Sequence, residues 1–178
     1  SKSYKVDSAT KLYVNGVQYD DVDGGIAKFV VGNTASDVTL IDVPESGSTD
    51  NVYDLIYVNV YDTAIVDTVE KADTDTPEIN FMEGVVANGT EAGVMNKIEV
   101  DTTDKDKTYQ FVKDGAEISY ADLQQYDVLS IKRDVTQKFK DSDFYEVIVS
   151  SKTEEGKYTQ YDSEEKEYIF NGTTYSTV

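Results

Sequence analysis

The chain contains no cysteine, no histidine, no tryptophan and only two prolines, Pro44 and Pro77. These absences exclude disulfides, thiolate nucleophiles, imidazole bases, a Ser-His-Asp triad and any Cys/His zinc or haem site. No run of about 18 apolar residues occurs, so no helix spans a membrane. Basic residues are scarce: 16 Lys+Arg stand against 35 Asp+Glu, giving a formal charge of −19. An acidic excess repels nucleic acid and anionic lipid, both of which bind through Lys/Arg neutralising phosphate. Arg133 is the single arginine, so bidentate phosphate recognition has almost nothing to work with. The expected partners therefore include no nucleic acid and no membrane insertion.

What remains is a chain well supplied with core material. Of its 178 residues 39% are hydrophobic, and 14 are tyrosine. A chain of this length buries roughly 70% of its unfolded surface without a staple. It suits one large domain or two small ones. Val, Ile, Tyr and Thr recur in runs of four to eight with alternating side chains and turn residues between them, the pattern of β-strands. Candidate strands are 11–15, 17–20, 27–31, 37–43, 53–60, 64–69, 97–101, 108–113, 116–119, 127–133, 144–151, 157–161 and 167–171. Asn15-Gly16 and Asn171-Gly172 are hairpin signals, because a type I′ turn needs positive φ at both central residues; Asp114-Gly115 is a looser version. The one helical candidate is a single turn near 120–125, where Ser119 and Asp122 imitate a capping box.

Repeats are the second signal. Lys11–Tyr19 matches Glu167–Tyr175, each with a tyrosine three residues after the glycine. Tyr53-Asp54-Leu55-Ile56-Tyr57-Val58 likewise matches Tyr126-Asp127-Val128-Leu129-Ser130-Ile131, and a further strand follows each, Ala64–Val69 and Phe144–Ser151. Recurrence of this kind implies tandem modules. The polar stretch Lys71–Pro77 reads as the connector between them, and Gly84–Asn96 and Pro44–Asp50 read as loops. The start at Ser1-Lys2-Ser3-Tyr4 and an end inside a hairpin are what an excised piece of a longer protein would show. The absence of cysteine fits a Gram-positive exported protein as well as a cytosolic one.

Val38-Thr39-Leu40-Ile41-Asp42, the acidic loop after it, Tyr53–Val58 and Thr63–Val69 resemble a recurring β segment of Gram-positive surface proteins. Those proteins carry S-layer homology domains, and the segment lies in their extracellular β-repeat region. Lys113-Asp114-Gly115, Leu123, Tyr126–Ile131 and Val147–Ser150 resemble the same region. The resemblance implies a location outside the cell, at the envelope, and a role as surface scaffold or spacer. It does not extend to the helical S-layer homology domain, so no wall anchor is assigned here.

Three chemistries deserve weighing. Calcium wants clustered oxygen ligands, and two acidic loops offer them: Asp42, Glu45, Asp50 and Asp54, and then Asp101, Asp104 and Asp106. Pro44, Ser46 and Ser48 break the alternation of the first loop. The second lacks the turn glycine and distal glutamate of an EF-hand. Solvated surface carboxylates are the simpler reading, with weak calcium binding as the alternative. Glycoside hydrolysis needs only two carboxylates, but with 35 acids a close pair arises by chance. Tyrosines Tyr53, Tyr57, Tyr61, Tyr126, Tyr158 and Tyr161 are candidates for exposed rings that stack on sugar or protein, although Tyr also suits half-buried strands. Asn88-Gly89-Thr90 and Asn171-Gly172-Thr173 match a glycosylation sequon by coincidence.

The expectation is an all-β chain of two tandem small antiparallel barrel- or sandwich-like modules, residues 1–76 and 77–178, with a further repeat beginning at the C-terminal end. The core is expected to draw on Leu12, Val14, Ile26, Phe29, Val31, Leu40, Ile56, Val58, Ile65, Val69, Ile98, Phe111, Ile118, Leu123, Leu129, Ile131, Val147, Val149 and Ile169. The expected function is a non-catalytic spacer of a larger exported bacterial protein, with no catalytic, cofactor-binding or metal-binding residues. Its partners would be other domains of that protein, cell-wall polysaccharide or neighbouring copies. The alternative is an extracellular binding module that recognises wall polysaccharide or a protein through a Tyr-rich face.

Overall fold

The computed structural model describes residues 4–32, 37–43, 52–70, 76–88, 93–151 and 156–176. Strands dominate, as the alternation of β-branched and aromatic residues requires. They form three open sheets, none of which closes into a barrel. The first sheet contains β1 (Lys11–Val14), β2 (Val17–Tyr19), β3 (Asp37–Ile41) and β4 (Leu55–Asn59), in the order β2-β1-β4-β3. β1 and β4 run parallel at its centre, with Leu12 opposite Ile56 and Val14 opposite Val58. These four side chains point to one face and are almost fully buried.

A short helix, α1 (Val22–Gly25), follows β2 and runs on as a π-helical segment over Ile26–Val31. Asp21 caps it by accepting the Gly24 N–H at 2.9 Å, which satisfies one of the donors a helix start leaves unpaired. The segment lies on the face of β1 and β2. Phe29 is fully buried and meets Tyr19 edge-on at 5.5 Å. The sequence pattern predicts a strand over 27–31; instead the apolar run Ile26–Val31 covers this face as a helix, because one-sided cover of a four-stranded sheet requires an element of that shape. Val31 consequently points outward and is 77% exposed.

The second sheet holds β5 (Asp62–Val69), β6 (Glu78–Val86), β7 (Val94–Glu99), β8 (Thr108–Lys113), β9 (Ala116–Ile118), β10 (Val128–Arg133) and β11 (Phe144–Ser150), in the order β7-β6-β5-β10-β11-β8-β9. Its half β9-β8-β11-β10 repeats the wiring of the first sheet: a hairpin, then two antiparallel strands, the last of them parallel to the first of the hairpin. The 3-10 turn at Tyr120–Asp122 stands where α1 stands in the first sheet and carries the expected capping box. Ala64, Val66, Ile79, Ile98, Leu129, Ile131 and Val147 form its core with their neighbours. Ile65, expected inside, is 43% exposed, because β5 turns its even-numbered residues inward.

The third sheet is small, with β12 (Tyr158–Asp162), β13 (Glu167–Phe170) and β14 (Thr173–Ser176) in sequential antiparallel order. Of the strand pairs described, β1–β4 and β8–β11 are parallel and the rest are antiparallel.

Three expectations about organisation change. The proposed boundary at 76/77 falls within the connection of a hairpin: β5 pairs with β6, and Glu70 N–H donates to Glu78 C=O at 2.8 Å. The chain passes from the first sheet to the second between Asn59 and Asp62 instead. Most of the stretch Lys71–Pro77 lies outside the described residues. Part of the expected loop Gly84–Asn96 is strand, because β6 continues to Val86 and β7 begins at Val94. The internal matches also shift. All three hairpin turns have positive φ at both central residues (Asn15 53° and Gly16 87°; Asp114 52° and Gly115 80°; Asn171 49° and Gly172 78°). Only the first two hairpins share a parallel neighbour. The stretches Tyr53–Val58 and Tyr126–Ile131 lead into β4 and β10, which occupy different places in the strand order.

Each fully buried Val, Leu or Ile stabilises the fold by about 1.5–3 kcal/mol relative to an exposed one, so these two apolar clusters supply most of the stability. Their packing is tight at Gly25, where an added Cβ would lie 2.3 Å from Leu12 Cδ2 and 3.0 Å from Tyr19 Cδ1. Gly25→Ala gains helix propensity but overpacks this contact, and urea unfolding is expected to show a net loss of about 1–2 kcal/mol.

Candidate functional site

The acidic residues that composition singled out are spent locally. Asp54 accepts the Val43 N–H at 2.6 Å and so ties the end of β3 to the start of β4. Asp42 lies just beyond β3, while Glu45 and Asp50 lie outside the described residues. In the second loop Asp101 accepts from Thr103 N–H (2.9 Å), Thr103 Oγ1 (2.7 Å) and Asp104 N–H (3.2 Å). These bonds, those from Thr103 foremost, hold the Asp101 carboxyl below its usual range. Asp104 accepts the Asp106 N–H at 2.9 Å. Both are turn-forming side-chain caps, the ordinary job of Asp between strands. Among the described residues no group of three acidic side chains is placed to hold a metal ion together.

Three other carboxylates are buried, and each has its own donors. Asp134 accepts from Thr136 N–H and Oγ1 at 2.8 and 2.6 Å. Asp127 accepts from Gln124 N–H (3.0 Å), Ser151 Oγ (2.5 Å) and the Lys113 ammonium (3.4 Å). Burial opposes its ionisation, but the Ser151 and Gln124 hydrogen bonds and the Lys113 charge together hold its carboxyl below the usual value. The third, Asp62, belongs to the junction between the first two sheets.

That junction is a polar cluster around the lone arginine. Arg133, at the end of β10, is 1% exposed. Its Nε donates to Asp62 Oδ2 at 3.2 Å, Nη1 to Asp134 C=O at 3.0 Å, and Nη2 to Asn88 C=O. Its guanidinium also lies 5.0 Å from the Phe139 ring centroid. Asn88 returns to Asp62 Oδ1 through its N–H (2.7 Å) and its side-chain amide (2.9 Å), so the sequon asparagine is committed to packing. From the first sheet comes Asn15. Its amide donates to Val60 C=O (3.0 Å) and to Arg133 C=O (2.8 Å), while its Oδ1 accepts the Val60 N–H (2.8 Å). The turn asparagine therefore serves two ends: it takes the left-handed φ that the turn requires, and it clasps both sheets. No buried side-chain polar atom among the described residues lacks a partner.

The tyrosines separate into packed and open sets. Tyr53 is half-buried and meets Tyr4 edge-on at 5.6 Å. Tyr57 is exposed, as expected, and stacks on Tyr13 at 5.1 Å across the β1–β4 pair, while Tyr61 is half-buried. Tyr126 is exposed and stands apart from every close ring pair. Tyr158 and Tyr161 are exposed on the third sheet, and there the register assembles a patch. Tyr168 pairs with Tyr161 on one side and Tyr175 on the other, while Phe170 pairs with Tyr158. Paired residues share a face, as do residues two apart along a strand. One face of this sheet therefore carries Tyr158, Tyr161, Tyr168, Phe170 and Tyr175, and none of residues 156–175 is buried. Tyr168, Phe170 and Tyr175 were not singled out from the sequence, although the alternation Tyr168-Ile169-Phe170 carried the signal.

Cavities of about 360 Å³ occur elsewhere. One lies between β7 and the 3-10 turn at Phe139–Asp141, lined by Met95, Lys97, Lys138 and Phe139; the other lies between Tyr4, Val6, Ile26 and Leu40. The Lys97 ammonium bridges Glu78 and Glu99 across strands. No helix among the described residues is long and apolar enough to cross a membrane. Comparison with protein-family models, curated proteins and solved structures finds no match to this chain.

Two substitutions probe this chemistry. Arg133→Met leaves Asp62 buried without its cation and is expected to cost about 3–5 kcal/mol in urea unfolding, much of which the double variant Asp62→Leu/Arg133→Met recovers. Asp127→Asn is expected to cost about 1–3 kcal/mol at neutral pH. A carboxyl held below its ordinary value of 3.8 stabilises the fold fully above that pH and loses this contribution as pH falls through the lower folded value. The difference between wild type and Asp127→Asn should therefore shrink in acid, measured by urea unfolding at neutral and acidic pH.

Proposed function

We propose that this chain is a non-catalytic structural module of a larger exported bacterial protein, a stiff spacer at the envelope surface that sets the distance between neighbouring domains. The observation that carries this reading is the junction. Asn15 and Arg133 join the two sheets through buried hydrogen bonds rather than a linker. A flexible connection between domains is polar, exposed and crossed by few contacts, whereas this one is buried and fully bonded. The shared β-β-turn-β-β wiring of the two sheets supports reading them as tandem units, now divided near residues 60–62. The spacer role and the extracellular location rest on the resemblance to surface-protein repeats. The buried acids favour no reaction, since each is already held by hydrogen-bond donors.

A second reading has one observation in its favour. A module that recognises wall polysaccharide or a protein partner needs an exposed aromatic face, and the third sheet has one.

Residual dipolar couplings measured separately for the two sheets test the spacer reading. One common alignment tensor is expected for wild type. Asn15→Ala, which removes three hydrogen bonds between the sheets and their connection, is expected to split it. Two independent tensors in the wild-type chain would end the stiff-spacer proposal.

A further inference from the structure

Two hairpins of this chain carry one pattern in one register. In the first, Leu12 faces Tyr19 and Val14 faces Val17. In the last, Tyr168 faces Tyr175 and Phe170 faces Thr173. Both turn through Asn-Gly with the same backbone conformation, and in both the turn asparagine accepts a backbone N–H from a neighbouring segment: Val60 for Asn15, Lys157 for Asn171.

Their faces meet different fates. Over the first hairpin, α1 and its π-helical extension bring Gly25 against Leu12 and Tyr19, and Phe29 against Tyr19; Leu12 and Val14 are 0% exposed. The corresponding face of the last hairpin is open, with Tyr168 41% and Tyr175 42% exposed. β12 widens it: the rings of Tyr161 and Tyr158 lie 4.7 and 6.4 Å from that of Tyr168.

We propose that the aromatic face of β12, β13 and β14 docks an amphipathic helical segment of a partner protein. That segment lays an aromatic ring and flanking aliphatic side chains on Tyr168, Phe170 and Tyr175, as α1 and its extension do on Leu12, Val14 and Tyr19. The occupant is chosen on two grounds. The chain itself shows what closes a hairpin of this pattern and register. The area points the same way: three strands of about five residues present roughly 200–300 Å², against about 800 Å² per partner in a stable dimer, so a second copy seated on this face alone would cover too little. This inference goes beyond the spacer reading, which requires no partner.

The test uses the full chain, isotope-labelled for NMR, and a synthetic peptide with the sequence of residues 20–32 as the probe. Saturable shifts are expected at Tyr161, Tyr168 and Tyr175. Phe29→Ser in the peptide, or Tyr168→Ser in the protein, should weaken binding about tenfold, the loss typical of an anchor residue. Tyr175→Ser provides a second variant, and retained cross-strand NOEs between β12, β13 and β14 report that each variant keeps the third sheet folded. The proposal is overturned if millimolar peptide moves nothing within residues 158–176, or if the Phe29→Ser peptide binds equally well. It is also overturned if Tyr168→Ser abolishes a self-association present without peptide, which gives the face to a second copy. Saturable shifts of the same rings with a soluble glucan hexasaccharide and none with peptide would give it to polysaccharide. None of these outcomes bears on the coupling of the first two sheets, so failure here leaves the spacer reading standing.

Discussion

The structure turns on one asparagine side chain. Asn15 occupies a turn position that asks for a left-handed backbone, and it directs its amide at Val60 and Arg133. Through it the first sheet, the crossing of the chain at Val60 and the end of β10 become one bonded unit. The neighbouring ion pair of Arg133 and Asp62 adds little net stability, because desolvating two charges roughly cancels their attraction. What it adds is specificity: a guanidinium with donors to Asp62, Asn88 and Asp134 accepts only one arrangement of the surrounding loops. Apolar burial makes the two sheets stable, and the polar cluster decides how they meet.

The β character was legible because it is local. Alternation of Val, Ile and Tyr, together with Asn-Gly and Asp-Gly turns, marks strands without reference to the rest of the chain, and the Ser119–Asp122 capping box marks a 3-10 turn in the same way. The errors are those of context. Ile26–Val31 has strand composition, yet a sheet with one uncovered face draws it into a helix. Ile65 lies in an apolar strand, but the pairing of β5 with β10 turns Ala64 and Val66 inward instead. The pairing of β5 with β10, more than sixty residues later, leaves no local mark, and so a polar, proline-bearing stretch that joins a hairpin reads as a boundary.

The chemistry was harder to read, for a related reason. Charge counts drew attention to Asp101, Asp104 and Asp106, which hold turns. The acids with unusual surroundings, Asp62, Asp127 and Asp134, look like any others in the sequence, because their burial, and for Asp62 and Asp127 some of their donors, arrive from distant segments. Tyrosine shows the same limit. Fourteen rings offer no ranking until register brings five aromatic residues of the last sheet onto one face and stacks Tyr57 against Tyr13 in the first.

The parallel pair at the centre of the first sheet imposes an order of events. Asn15 must wait for carbonyls 45 and 118 positions further along the chain, and contacts of such separation are the slow ones to close. As the polypeptide emerges from the ribosome, the β1–β2 hairpin can fold at once, but the clasp cannot shut until β10 has been made. Until then the first sheet is complete but unclasped, and the arrival of Arg133 fixes it against its neighbour.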